Sequence, residues 1–201
     1  MLKQTVIQPL CNLFGHDPES PRLDRRRFLK QATTLIVGGA IASPALVKAM
    51  TIRDRILTIY IPSTGETLRT VYWTPAEGYI HESLRQINWA LRDTRADQAK
   101  DMDPKLLDEL YVLQFAMDYN RPFHVISGYR TPATNAMLRR YNRAVAKDSF
   151  HMYGKAADIR MPGCSVRDLC RAALSLNAGG VGYYPGSGFV HVDTGPIRYW
   201  S

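Results

Sequence analysis

Cysteine is scarce in this chain. Three occur in 201 residues, and no two are spaced Cys-x-x-Cys. That argues against a thiolate zinc site, and a chain of this length can bury a core without disulfide staples. The sequence also lacks internal repeats and low-complexity tracts. Its basic residues are not interleaved with stacking aromatics, which speaks against a nucleic-acid footprint. The glycines at 179, 180 and 182 do not lead into a phosphate-binding helix, which argues against a nucleotide loop. What remains is an ordinary globular composition, 45% apolar and 22% charged, of a size that suits one domain.

The formal charge of +8 divides unevenly along the chain. Residues 1–49 hold seven Lys/Arg and three Asp/Glu, and residues 50–201 hold nineteen and fifteen, so each part contributes +4. Spread over 152 residues, the second excess is a solvated surface with at most a weak attraction for anionic polymer. The first belongs to a segment with a different character. Asp24-Arg25-Arg26-Arg27-Phe28-Leu29-Lys30 is followed by an uncharged stretch over 31–47, and then by Val47-Lys48-Ala49. A twin arginine, a modest apolar stretch and a small-residue end form a bacterial export signal. The stretch is rich in Thr, Gly and Ala and is weaker than a membrane span of about 20 residues. We therefore expect 1–49 to be a twin-arginine-type leader, removed or kept as an anchor, and 50–201 to be the folded domain in the periplasm. Cys11 then leaves with the leader. Cys164 and Cys170 lie six helical steps apart, about 9 Å at 1.5 Å per residue. A disulfide requires Cα atoms within about 7 Å, so both are expected to be free, buried thiols.

Within the domain, Arg55–Ile61 and 67–73 read as a β-hairpin around Pro62-Ser63-Thr64-Gly65-Glu66. Apolar residues at helical spacing predict a helix over 79–96, and a second opens at Pro104. Phe123–Ser127 predicts a short strand, and Pro132 starts a helix carrying Arg139, Arg140 and Arg143. Residues 149–151 and 155–161 are expected as strands around Gly154, Val166–Leu176 as a helix capped by Ser165, and 179–184 and 189–194 as the last two strands. Strand pairs joined by short turns favour an α+β domain with an antiparallel-rich sheet and flanking helices over a doubly wound parallel one.

Five histidines are present, and two stand out. His151 and Asp158 flank Gly154 and can meet across a turn. His191 lies on a strand, Phe189-Val190-His191-Val192-Asp193, whose alternation turns His191 and Asp193 to one face and the valines to the other. Two imidazoles and a carboxylate suit Zn²⁺ and leave a fourth position for water.

Ser149-x-His151-x-x-Gly154-x-Ala156-x-Asp158, followed by a strand carrying His191, resembles the zinc peptidases that share a core with D-Ala-D-Ala carboxypeptidases, lysostaphin and the hedgehog signalling domain. Ser127-Gly128-Tyr129-Arg130 is similar to a segment of the same family. Ala178-Gly179-Gly180-Val181-Gly182-Tyr183-Tyr184-Pro185 and Phe189 to Pro196, ending in Trp200, resemble its murein endopeptidase K branch. The resemblance implies a hedgehog/DD-peptidase-like fold from about residue 55 to the C-terminus. It implies His151, Asp158 and His191 as zinc ligands, and Arg130 as a group that holds a substrate carboxylate or a developing oxyanion. It also implies peptidoglycan stem peptides and their cross-links as the substrate. Ser149, Tyr183 and Tyr184 are candidates for hydrogen bonds to substrate.

One departure from the pattern matters. Several relatives in that wider family carry an acidic residue three positions before the last histidine, or a histidine two before. Here those positions are Gly188 and Phe189, and neither can move a proton. Asp193 is the nearest carboxylate on the same strand face. Its alternatives are general base, partner that orients an imidazole, or structural residue. Three functions therefore stand open: a murein endopeptidase, a carboxypeptidase acting on stem-peptide ends, and a wall-binding protein that keeps the metal site without catalysis.

Overall fold

The computed structural model describes residues 35–37, 40–42, 53–143 and 145–201. Two three-residue strands, β1 (Leu35–Val37) and β2 (Ala40–Ala42), pair antiparallel. The rest of the expected leader lies outside the described residues. No helix among the described residues is long and apolar enough to cross a membrane.

The domain is one eight-stranded sheet with helices packed against it. Its strands are β3 (Arg55–Ile61), β4 (Glu66–Thr74), β5 (Gly78–Tyr79), β6 (Phe123–Ser127), β7 (Ala156–Arg160), β8 (Gly180–Tyr184), β9 (Phe189–Asp193) and β10 (Arg198–Trp200). Their order is β10-β8-β9-β7-β6-β3-β4-β5. Only β3–β6 and β10–β8 run parallel, so the sheet is antiparallel-rich, as the short turns require. The helices are α1 (His81–Ala90), α2 (Pro104–Ala116), α3 (Pro132–Tyr141) and α4 (Val166–Leu176). α2 and α3 start with proline behind Asp103 and Thr131, whose side chains accept from Lys105 N–H and Thr134 N–H. Ser165 Oγ accepts from Asp168 N–H at 3.0 Å and donates to its carboxylate at 2.6 Å, closing the cap of α4.

Strand alternation sorts the chemistry to one side. Ala157 and Ile159 of β7, Val181 of β8, and Val190 and Val192 of β9 all enter the apolar core, where Leu106, Leu107, Leu110 and Leu113 of α2 are fully buried. Asp158, Gly180, Gly182, His191 and Asp193 alternate with them and so occupy the other face.

Three expectations are corrected. The helix expected over 79–96 ends at Ala90. Asp93 stops it: its carboxylate accepts from Arg95 N–H, Ala96 N–H and both donors of Thr131, which holds a turn instead of another helical coil. The strand expected over 149–151 is a 3₁₀ turn, Phe150–Tyr153, closed by Gly154 at φ +67°. A side chain at Gly154 is excluded twice, by that left-handed conformation and by Asp101 O, which would lie 2.3 Å from its Cβ. Lastly, Cys164 is disulfide-bonded, whereas Cys170 is a free buried thiol as expected. The two are not joined to each other.

Glu109 is the misfit of the core. It lies on the buried side of α2, and neither carboxylate oxygen has a hydrogen-bond partner. Burial, with the negative charge of Asp193 in second place, pushes its carboxyl up to about 8, against a smaller opposing pull from His191. It is neutral in the fold at pH 7. The unfolded chain releases that proton near pH 4.5 and the native chain holds it to about 8, so this group makes stability fall as pH rises across that window. Glu109→Gln should raise the melting temperature at pH 7, by roughly 2 kcal/mol of stability or more. It should also flatten the decline between pH 4.5 and 8, as read from denaturation at stepped pH.

Candidate metal centre

Two cross-strand rows build the site. In one, Trp200 lies opposite Gly182, Gly182 opposite His191, His191 opposite Asp158, and Asp158 opposite Ser127. In the next, Arg198 lies opposite Gly180, Gly180 opposite Asp193, and Asp193 opposite Ala156. His151 arrives from outside the sheet, on the 3₁₀ turn that precedes β7.

His151, Asp158 and His191 are all buried, and their ligand atoms lie within 4.8 Å of one another. Their other hydrogen bonds decide which atoms face inward. His151 Nδ1 sits 2.6 Å from the carbonyl of Gly128, which can only accept, so this nitrogen carries the proton and Nε2 carries the lone pair. His191 Nε2 sits 2.9 Å from Asp193 Oδ2 and donates to it, leaving Nδ1 to face His151. His151 Nε2 and His191 Nδ1 are then 3.2 Å apart, and Asp158 Oδ1 lies 3.2 Å and 2.9 Å from them. Two imidazole lone pairs and a carboxylate oxygen converge on one point. Such a set repels itself unless a cation or a proton sits among it, and its two nitrogens and one oxygen are the donors a catalytic zinc site uses. The residues fit a divalent ion.

The charges respond accordingly. Burial pushes the Asp158 carboxyl up, but His151, His191 and Arg130 overcome it and hold the group well below the ordinary carboxylate range. Burial lowers His151 and prevails over the pull of Asp158, so its ring is neutral. Burial also works against charge on His191, yet Asp158 and Asp193 raise it to about 9. Without metal, His191 is therefore a cation bonded to a carboxylate on each side. A divalent ion held here would take the place of the Nδ1 proton, so its uptake would release a proton and weaken as pH falls.

One family model, described as peptidoglycan L,D-endopeptidase MepK, matches residues 49–200. The chain belongs to this family. Peptidoglycan L,D-endopeptidase MepK of Escherichia coli strain K12 is 42% identical over 177 residues, covering 88% of this chain and 97% of that protein. The protein of the same name from Shigella flexneri matches equally well. A probable peptidoglycan L,D-endopeptidase MepK from Haemophilus influenzae is 39% identical over 178 residues, 88% of this chain and 95% of that one.

In this member of the MepK family the cluster opens on a cleft of about 510 Å³, within the size range of small-molecule sites. Ser149, Tyr184 and Arg130 line it. Arg130 is more committed than the sequence suggested. Nη2 donates to Asp158 Oδ2, and Nε donates to Ser127 Oγ at 2.7 Å. It fixes the Asp158 carboxylate while standing in the cleft wall. Tyr184 stacks on Phe189 with ring centroids 4.7 Å apart, and its hydroxyl accepts from Trp200 Nε1 at 2.7 Å, leaving its own proton for another acceptor. Tyr183 is not brought to the site: it alternates to the other face of β8 and packs against the core. Two residues the sequence reading did not single out for chemistry, Arg198 and Trp200, stand in the cleft wall. So does Asp148, which accepts from Tyr153 OH at 2.7 Å. It is the one carboxylate there, among the described residues, outside the metal cluster.

Asp193 lies behind His191. It is fully buried. Oδ2 accepts from His191 Nε2 and from Arg198 Nη2 at 2.6 Å, and Oδ1 accepts from Gly195 N–H at 2.9 Å, Arg198 Nη1 at 3.0 Å and Gly180 N–H at 3.3 Å. These donors outweigh its burial and lower its carboxyl to about 2. Such a group is a poor proton acceptor and has no lone pair left to take one from a substrate water. Of the roles open in the sequence, the geometry favours orientation of the imidazole. Asp193→Asn should therefore weaken zinc binding by about 10–100-fold, and added zinc should restore turnover. Loss of turnover at full zinc occupancy would return Asp193 to the role of base.

Proposed function

We propose that this chain is an exported, zinc-dependent peptidoglycan L,D-endopeptidase that acts in the periplasm. The observation that carries the reading is a conjunction: a family match over nearly the whole domain, and a buried His151–Asp158–His191 cluster at the floor of a cleft wide enough for a stem peptide. The names of the relatives supply the bond class. The donor set supports zinc, since two imidazoles and one carboxylate with an open position serve zinc hydrolases; the same triad also serves non-haem iron, and the hydrolytic activity in the relatives' names favours zinc.

When bound, the ion supplies Lewis acidity at the scissile carbonyl and lowers the pKa of the attacking water. The residues of the chain do the rest. His151 and His191 present one nitrogen each, in tautomers set by the Gly128 carbonyl and by Asp193. Arg130 holds Asp158 and keeps a guanidinium at the cleft wall, where a developing oxyanion is stabilised by a nearby cation. Ser149, whose side chain is not spent on capping the turn, and the Tyr184 hydroxyl orient the peptide. The apolar faces of Phe150, Phe189 and Trp200 exclude water from the remainder of the cleft.

Incubation of the purified protein with intact sacculi, followed by separation of the released muropeptides, tests the reading. An L,D-endopeptidase removes dimers joined by L,D cross-links and spares D,D-linked dimers. Shortened monomer stems would instead mean a carboxypeptidase, and binding without new products would mean a wall-binding protein. His151→Ala should lose most bound zinc and all release. The export half has its own test. Replacing Arg25 and Arg26 with lysine should leave the precursor in the cytoplasm, and mature protein still found in the periplasm would point to another route.

A further inference from the structure

The glycines at 179, 180 and 182, which do not form a nucleotide loop, have another use. It lies in what crosses them. Gly180 and Gly182 are not among the positive-φ residues, so no turn demands them. A Cβ on Gly180 would stand 2.4 Å from an Arg198 guanidinium nitrogen and 2.7 Å from Asp193 Oδ2, and a Cβ on Gly182 would stand 2.6 Å from the Trp200 indole. Both face the His191 side of the sheet. The glycine positions of β8 are thus a bare floor, and the side chains of Arg198 and Trp200 on β10 lie across it toward β9.

We infer that the C-terminal strand is a brace for the metal-binding conformation of His191, with Arg198 as its positioning residue acting through Asp193; the inference rests on the metal-centre reading above. The chain of contacts is continuous. Arg198 grips both oxygens of Asp193 in a fork, at 3.0 Å and 2.6 Å. Asp193 takes the Nε2–H of His191, which sets the tautomer that bares Nδ1. Trp200 closes the side of the same ring, with centroids 5.2 Å apart, and is itself pinned by its bond to Tyr184. The guanidinium of Arg198 in turn lies 5.0 Å from the Phe150 ring and 4.9 Å from the Trp200 ring. Phe150 adjoins His151, so one arginine ties the turn that carries the first ligand to the strand that carries the third.

A brace and a simple edge strand make different demands. An edge strand needs β10 for stability alone. A brace needs the fork: lysine keeps the charge but cannot reproduce two parallel bonds to one carboxylate. Melting temperature falls in either case when Arg198 is lost, because a buried carboxylate loses its partner. Zinc affinity separates the two.

The experiment measures zinc affinity of the full chain by competition with a chromophoric chelator, for wild type, Arg198→Met, Arg198→Lys and Gly180→Ala. Arg198→Met should weaken zinc binding about 10–100-fold, and Arg198→Lys should recover part of the loss. Gly180→Ala alters no ligand but crowds both the guanidinium and the Asp193 carboxylate it grips, so it should shift affinity in the same direction. If Arg198→Met does not fold, Arg198→Lys decides. Unchanged affinity in folded variants, beside tight zinc binding by wild type, overturns the brace and leaves the metal centre standing. Failure of wild type to bind zinc overturns both.

Discussion

β9 lies hydrogen-bonded between β7 and β8 in a register that sets His191 opposite Asp158 on one side and opposite Gly182 on the other. Most of the site depends on that register. Side chains alternate along a strand, so a slip of one residue would send Val190 and Val192 toward the cleft and bury His191 and Asp193 in the helical core. The register is held by the apolar side. Val190 and Val192 are fully buried with Ala157 and Ile159 of β7, and turning the two valines out would forfeit on the order of 1.5–3 kcal/mol for each. The packing that stabilises the fold thereby also aligns the ligands.

The same arrangement concentrates polar groups that would be costly alone. Asp158 and Asp193 are buried, as are both imidazoles. Each carboxylate has histidine and arginine partners: Asp158 has His151, His191 and Arg130, and Asp193 has His191 and Arg198. His191 stands between the two. A buried charge survives when it is paired and its lone pairs are used, and Asp193 meets that condition fully. Asp158 meets it on one oxygen and turns the other toward the histidine nitrogens. The asymmetry between them leaves Asp158 an oxygen to offer a cation and leaves Asp193 none, although both are aspartates on neighbouring strands. It also gives the bare glycines of β8 a purpose, since the arginine fork needs the space above Gly180.

Much of this was legible in the sequence, and the limits have physical causes. The alternation of Phe189 to Asp193 put His191 and Asp193 on one face, and the His151–Asp158 spacing allowed a meeting across a turn; the family resemblance, with the Ser127-Gly128-Tyr129-Arg130 segment, joined them into one site. The cap at Ser165 and the helix starts at Pro104 and Pro132 were readable from local signals. Three residues at the chain end, Arg198 to Trp200, carry no strand period, so β10 and its pairing with β8 were invisible. So was the contact of Arg198 with Asp193, and with it the evidence on the role of Asp193. Tyr183 and Tyr184 are adjacent and were equally plausible from composition; only the register sends one to the core and the other to the cleft. The turn at Phe150–Tyr153 was read as a strand because its aromatic content suits both, and Gly154 decides it through contact with Asp101, fifty-three positions earlier.

The central claim is that three lone pairs, on His151 Nε2, His191 Nδ1 and Asp158 Oδ1, meet around one divalent ion. Anomalous diffraction at the zinc absorption edge, from crystals of the protein purified without chelator, tests it most directly. The account predicts one ion bonded to those three atoms at about 2.0–2.2 Å, with His191 bound through Nδ1 and its Nε2 still on Asp193. An ion bound through His191 Nε2, an ion held by other residues, or no anomalous peak in the cluster would contradict it.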